Sequence, residues 1–317
     1  MFDRAVTVSS MTFRLGLQLP NFSYGHSVGE LFPTVISQAQ EAESAGFDAL
    51  FLMDHLYQLP QVGVPEDPML ECYTALAALA TVTERIQLGA MVTGNTYRNP
   101  TMLAKIITTL DIVSAGRAIL GVGAGWFEFE HVQLGYEFGT FTDRFERLEE
   151  ALSIIAPMLR GERPSVAGKW YRTEDALASP RFRDDIPILL GGGGEKKTFR
   201  LAARYASHLN VFAPLNQLKA KLDVLARRCE EVGRDPATLE TSALVGVHLD
   251  GLGEPAAVPA GMEDFMIAGT AAQIAERLRT DVLDTGLTSI VIHAASQGHL
   301  PGVITSLGEA LGAVIDT

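Results

Sequence analysis

Cysteine is nearly absent: Cys72 and Cys229 are the only two in 317 residues, far apart and both in helical patterns. That excludes a disulfide framework or a thiolate-rich metal site and fits a reducing, cytoplasmic setting. No His-x-x-x-His or Cys-x-x-Cys spacing occurs, so no metal site is expected. Basic residues are scarce: 25 Lys+Arg against 38 Asp+Glu leave a net charge of −13. Nucleic acid or an anionic membrane surface needs a basic face and is not an expected partner. No apolar run approaches the ~20 residues of a membrane span. The first residues carry Asp3 and Arg4 and no apolar core, so no signal peptide is expected. Residues 1–12 are expected to be an extension and residues 13–317 a single domain. There is no internal repeat, linker or low-complexity run.

What is present is an alternation of short apolar runs with helical patterns. Strands are predicted at Phe13–Leu19, Ala49–Met53, Ile86–Val92, Ala118–Val122, Ile188–Leu190, His208–Phe212, Thr241–Leu249 and Ser289–Ile292. Helices are predicted at Gly29–Ala45, Leu70–Thr83, Pro100–Ser114, Thr142–Arg160, Glu195–Tyr205, Leu215–Val232, Ala271–Leu283 and Pro301–Ile315. Strands rich in Val, Ile and Leu belong to a parallel sheet covered on both faces. Eight such strands, each followed by a helix, give the count of an α/β (β/α)8 TIM barrel. A doubly wound sheet would need a topological switch and usually has fewer strands. Ala45-Gly46-Phe47 and Ser114-Ala115-Gly116-Arg117 end helices with a glycine before the next strand. Residues 126–141, 161–185 and 250–265 are too long for plain turns and read as insertion or binding loops at the C-terminal face.

Barrel enzymes place chemistry where strands end. Here those ends are Pro20-Asn21, Asp54-His55, Thr93–Asn95, Gly123–Trp126, Gly191–Gly194, Ala213-Pro214, His248 and His293. Asp54-His55 is the sharpest pair, because an imidazole there can exchange a proton near neutral pH. His248 and His293 read as packing residues, and His26, His131, His208 and His299 lack partner spacing. Gly121-Val-Gly-Ala-Gly125 resembles a dinucleotide fingerprint out of register, and glycine there also eases strand packing. Gly191–Gly194 followed by Glu195-Lys-Lys is stronger. Four glycines carry a large entropic cost, and N–H groups at a helix start beside Lys196 and Lys197 form an anion site. Arg200 joins that basic cluster. Asp143, Glu146, Glu149 and Glu150 with Arg144 and Arg147 read as helix-surface pairing. Phe22, Trp126, Phe127 and the 250–265 loop are expected to wall a substrate pocket.

Glu43–Asp48, Met53-Asp-His55, Arg85–Gly89, Arg98-Asn-Pro100, Leu110–Arg117, Leu120–Trp126 and Pro187–Gly194 follow in an order that resembles the luciferase-like monooxygenase family, in its coenzyme F420 branch. The resemblance covers nearly the whole chain from Phe13. It implies a (β/α)8 barrel with the deazaflavin ring in the mouth, Asp54 on the ring edge and His55 as acid or base beside the hydride path. It also implies a cis peptide in a bulge at Ala90-Met91, ring contact at Thr93, Gly123 and Ala124, and a phosphate loop at Gly192, Gly193 and Gly194. Lys196, Lys197 and Arg200 would offset the anionic tail. Sugar-phosphate dehydrogenases of the family carry a glutamate directly after Gly-x-Gly on the fourth strand, where this chain has Trp126. Glu130 matches a carboxylate of other branches and reads as structural.

The leading expectation is therefore an F420-dependent oxidoreductase acting on a small organic molecule, a reductase in preference to a sugar-phosphate dehydrogenase. An FMN-dependent monooxygenase with a reductase partner is the alternative, and a non-catalytic flavin or deazaflavin binder a third. A homodimer is expected from the resemblance.

Overall fold

In the computed structural model, residues 13–252, 258 and 261–315 are described. The expected extension at 1–12 and part of the 250–265 loop lie outside them. The strands are β1 (Leu15–Leu19), β2 (Ala49–Leu52), β3 (Gln87–Ala90), β4 (Thr93–Gly94), β5 (Ala118–Gly123), β6 (Val166–Ala167), β7 (Arg172–Thr173), β8 (Ile188–Gly191), β9 (His208–Val211), β10 (Glu240–Leu249), β11 (Met266–Gly269) and β12 (Ser289–His293). The helices are α1 (Val28–Ser44), α2 (Cys72–Ala80), α3 (Pro100–Val113), α4 (Glu128–Leu134), α5 (Phe141–Leu159), α6 (Thr198–Tyr205), α7 (Leu218–Glu231), α8 (Ala271–Asp281) and α9 (Val303–Ile315).

β1, β2, β3, β5, β8, β9, β10 and β12 pair in parallel in that order. The ring closes where Gly16 lies opposite Val291 and Val211 opposite Ala243. This is the expected (β/α)8 barrel. Alternate residues of each strand point inward. Phe13, Ala49, Phe51, Met91, Ile119, Leu189 and Val291 fill the barrel's interior, while Leu50, Leu52, Leu88, Leu120 and Leu190 face the helices. Phe13 stacks on His208 at 4.6 Å where the strands begin, so the barrel is a packed core with its opening at the strands' C-terminal ends.

Local sequence sets the helix starts. Asn99 accepts from the Thr101 N–H at 3.0 Å ahead of Pro100, and Thr140 with Asp143 and Thr270 with Gln273 form reciprocal caps. Three features depart from the predicted elements. The third strand does not run unbroken over Ile86–Val92. It stops at Ala90 and resumes as β4 after a cis peptide at Met91–Val92, one bond beyond the expected Ala90-Met91. Two of the long loops carry structure of their own, helix α4 and the β6–β7 hairpin, and an unpredicted strand, β11, follows the 250–265 loop and pairs with β10 outside the ring. Helix α6 starts at Thr198, not Glu195, because Gly192 has a positive φ and the Gly194 carbonyl accepts from the Phe199 N–H instead of opening a regular turn.

Both cysteines are buried and free. No helix among the described residues is long and apolar enough to cross a membrane.

Candidate active site

At the end of β2 the chain turns through Asp54 and His55, and the two side chains part. Asp54 is 2% exposed. Its two oxygens are taken by Arg98, at 2.6 and 3.0 Å, and Arg98 also reaches Glu71 at 2.6 Å. Burial pushes Asp54 up to about 6, against the opposing pull of Arg98. Asp54, which the resemblance sets on the ring edge, is here a buried anchor that ties β2 to the segment after β4. Arg98 also lies over the Tyr73 ring at 4.8 Å, and the Tyr73 hydroxyl bonds Thr93. Thr93 is fully buried.

His55 turns the other way. Its Nδ1 lies 2.8 Å from Oε1 of Glu130, in α4. The second carboxylate oxygen accepts the backbone N–H of Leu56 at 2.9 Å and of Tyr57 at 3.4 Å, and the Tyr97 hydroxyl also donates to Glu130. Burial alone would raise the Glu130 carboxyl; the hydrogen bonds from His55, Tyr97 and Leu56 outweigh it and hold the group below its ordinary range. An ionised carboxylate on Nδ1 fixes the proton there and leaves Nε2 as the nitrogen that can accept one. The ring edge meets Trp126 at 5.7 Å and Phe127 at 5.8 Å, both T-shaped. Trp126 is 56% exposed. Glu130 is more than the structural carboxylate expected, since it orients His55. His131, which had no recommending spacing, braces the same loop through the Phe127 carbonyl at 2.8 Å and Thr96 at 2.6 Å.

The glycine motifs follow from close approach. A Cβ on Gly121 would fall 1.9 Å from the Ala90 carbonyl oxygen, and one on Gly123 would fall 2.9 Å from Val92. Gly121 and Gly123 thus make room for the break in the third strand, with Ala124 half-buried beyond them. Gly191 serves the same bulge, 2.8 Å from Val92. The next turn differs. A Cβ on Gly193 would meet the Phe212 carbonyl oxygen at 2.2 Å, and one on Gly194 the Thr198 hydroxyl at 2.9 Å. Lys221 donates to the Gly193 carbonyl at 3.3 Å and Arg228 to the Glu195 carbonyl at 3.0 Å. With these carbonyls held from α7, the N–H groups of Gly193, Gly194, Glu195, Lys196 and Lys197 have no acceptor among the described residues. Such a row of donors before a helix suits an anion.

The basic cluster beside this turn is divided. Lys196 is exposed. Lys197 sits over Phe141 and Phe145 at 5.1 and 5.4 Å, and Arg200 pairs with Glu149 at 3.1 Å. Phe22 is a correction: at 2% exposed it packs in the core between barrel and helices and does not wall a pocket.

Residues 11–251 match the luciferase-like monooxygenase family. The chain is 38% identical over 166 residues to an F420-dependent glucose-6-phosphate dehydrogenase of Microbacterium testaceum, covering 52% of this chain and 48% of that one. It is 32% identical over 234 residues to the enzyme of the same name from Nakamurella multipartita, covering 72% and 68%. The matched stretch thus spans about half the length of the first relative. Among solved structures, an F420-dependent secondary alcohol dehydrogenase in complex with an F420-acetone adduct superposes with a TM-score of 0.81 at 19% identity, over 96% of this chain and 99% of that one. At that identity the likeness concerns the fold. The family match covers most of the chain, and the chain is a member of the luciferase-like monooxygenase family.

Proposed function

We propose that this protein is an F420-dependent oxidoreductase acting on a small organic carbonyl or alcohol. The observation that carries the reading is the His55–Glu130 pair, set in the same mouth as the glycine turn. The curated relatives support the cofactor, being named F420-dependent. The residues fit the group: Gly193 and Gly194 leave the space a Cβ would fill, and the N–H groups from Gly193 to Lys197 have no acceptor among the described residues. These amides would take the phosphate, with Lys196 beside them. The Met91–Val92 bulge and Thr93 would back the ring.

When bound, F420 supplies a ring that takes up or returns a hydride. The chain supplies the rest. His55 Nε2 accepts a proton from the substrate hydroxyl in one direction and returns it to the carbonyl oxygen in the other. Glu130 keeps the imidazole in the tautomer that does this. Trp126 and Phe127 orient the substrate and exclude water.

The relatives' names favour sugar-phosphate oxidation, whereas Trp126 stands where the family resemblance implies a second proton-handling carboxylate in sugar-phosphate dehydrogenases. That substitution supports a substrate other than a sugar phosphate. The test is a parallel titration of the protein with F420 and FMN by tryptophan quenching, followed by turnover of wild type and His55→Ala with reduced F420. F420 binding much tighter than FMN, with turnover lost in His55→Ala, is the result expected. Preferential FMN binding would reassign the protein as a flavin monooxygenase. Tight F420 binding with turnover indifferent to His55 would remove His55 from the chemistry.

A further inference from the structure

The mouth has two unlike halves. From Leu15 to Glu84, from Asp235 to Glu276 and from Thr280 to Thr317 the sequence contains no lysine or arginine. Those segments supply the C-terminal ends of β1, β2, β10 and β12 and the loops that follow them. The loop after β10 instead carries Asp250, Glu263 and Asp264. In the other half Arg98 is engaged by Asp54 and Glu71, Arg144 by the carbonyls of Gly125 and Gly139, and Arg147 by Glu137, while exposed Lys196 stands at the turn assigned to the cofactor's phosphate.

In this cation-free half, β12 ends in His293. Val291, two residues earlier, belongs to the barrel's inner cluster, so His293 points inward one layer higher. It lies opposite Gly246 of β10, and a Cβ on Gly246 would come within 3.2 Å of its Cε1 and Nε2. Glycine at 246 is what gives the imidazole its place. The ring's Nδ1 is buried and has no hydrogen-bond partner among the described residues. By contrast His248, the neighbouring inward histidine, contacts the Gln297 amide at 3.4 Å. Burial pushes His293 down to about 4, so the ring is neutral at pH 7, with one donor and one acceptor nitrogen. A neutral imidazole in a half of the mouth without cations matches a hydroxyl or carbonyl and gives a phosphate or carboxylate there no charge to pair with.

We propose that His293 receives the oxygen-bearing end of an uncharged alcohol or carbonyl substrate, which makes it a specificity-determining residue and places anionic substrates outside the enzyme's range. The proposal rests on the oxidoreductase reading above and narrows its substrate class. It also replaces the reading of His293 as a packing residue.

Cyclohexanol and cyclohexanone serve as uncharged probes and glucose 6-phosphate as the anionic one. Each is titrated into the F420-loaded protein by ligand-observed NMR, with His293→Phe and His293→Gln alongside, and F420 affinity is measured separately on all three proteins. The uncharged probes are expected to bind and to shift the His293 imidazole nitrogen resonances. His293→Phe weakens them about fivefold, the worth of one hydrogen bond, and His293→Gln restores part of the loss. F420 affinity stays unchanged, and glucose 6-phosphate does not bind. Unaltered probe binding in His293→Phe, no binding of either uncharged probe, or tighter binding of glucose 6-phosphate overturns the inference. Should F420 fail to bind the wild type, the cofactor reading falls by itself. The same probe titration on the cofactor-free protein then decides the His293 assignment.

Discussion

His55 and Glu130 are 75 residues apart in sequence and 2.8 Å apart in space, imidazole Nδ1 against carboxylate Oε1. This contact joins the end of β2 to α4 and gives the imidazole a fixed tautomer, as a carboxylate behind a catalytic histidine does elsewhere. Replacing Glu130 with Gln removes the charge while keeping a group of the same shape. Turnover is expected to fall roughly tenfold to a hundredfold, the usual cost of losing a carboxylate that orients a functional histidine. F420 affinity should stay within a factor of two or so. Steady-state rates across pH, set beside a binding titration, check this. An unchanged rate profile would reduce Glu130 to a structural role.

Arg98 holds the buried Asp54 by two hydrogen bonds. Arg98→Met leaves that carboxylate without its counter-charge and is expected to cost about 3–5 kcal/mol at pH 7. Asp54→Asn in the same background should recover part of it. Urea melts of the single and double variants measure the coupling.

The glycine turn makes a steric prediction. Gly193→Ala drives a methyl group into the Phe212 carbonyl, 2.2 Å from its Cβ position, and must displace the turn whose N–H groups face the anion. F420 affinity is expected to drop tenfold or more. Gly312→Ala, also a glycine substitution, with nothing within 4 Å of the new Cβ and no positive φ, should leave it unchanged. Calorimetric titration of the two variants separates a shaped cradle from a merely flexible loop.

His293 titrates at about 4 in the folded chain, below the ordinary histidine value of 6.5. The unfolded state therefore holds more protons than the native state between these values, and stability rises with pH there. The contribution is fully present above pH 6.5 and is lost as the pH falls towards 4. It amounts to up to about 3 kcal/mol. His293→Gln should flatten this part of the stability curve, read by denaturant melts at pH 7, 5.5 and 4. An identical slope in the variant would show that other groups set the acid limb.

The barrel was legible because its signals are local. Apolar runs of Val, Ile and Leu separated by amphipathic helices, with glycine after α1 and α3, specify alternating elements without reference to long-range contacts. The Asp54-His55 pair could be placed at the mouth for the same reason. The partners of those residues could not. Glu130 lies in α4, a seven-residue helix inside a segment read as loop, and nothing in Glu128-Phe-Glu130 says which carboxylate turns inward. Asp54 is claimed by Arg98, and only folding reveals which cation arrives. The purpose of Gly121 and Gly123 was similarly hidden. Their need is set by Ala90 and Val92 on a neighbouring strand, so one motif suggested a cofactor while the packing explains it. β11 escaped because Met266-Ile-Ala-Gly269 is short and adds outside the ring.

In the proposed enzyme the mouth of this barrel binds F420, with its anionic phosphate on the turn from Gly193 to Lys197. Titration of the cofactor-free protein with F420 and with FMN, followed through Trp126 fluorescence in a Trp170→Phe background, tests it most directly. Quenching of Trp126 at micromolar F420 is expected, with FMN binding at least tenfold weaker. Equal or tighter binding of FMN, or no quenching by either, would contradict it.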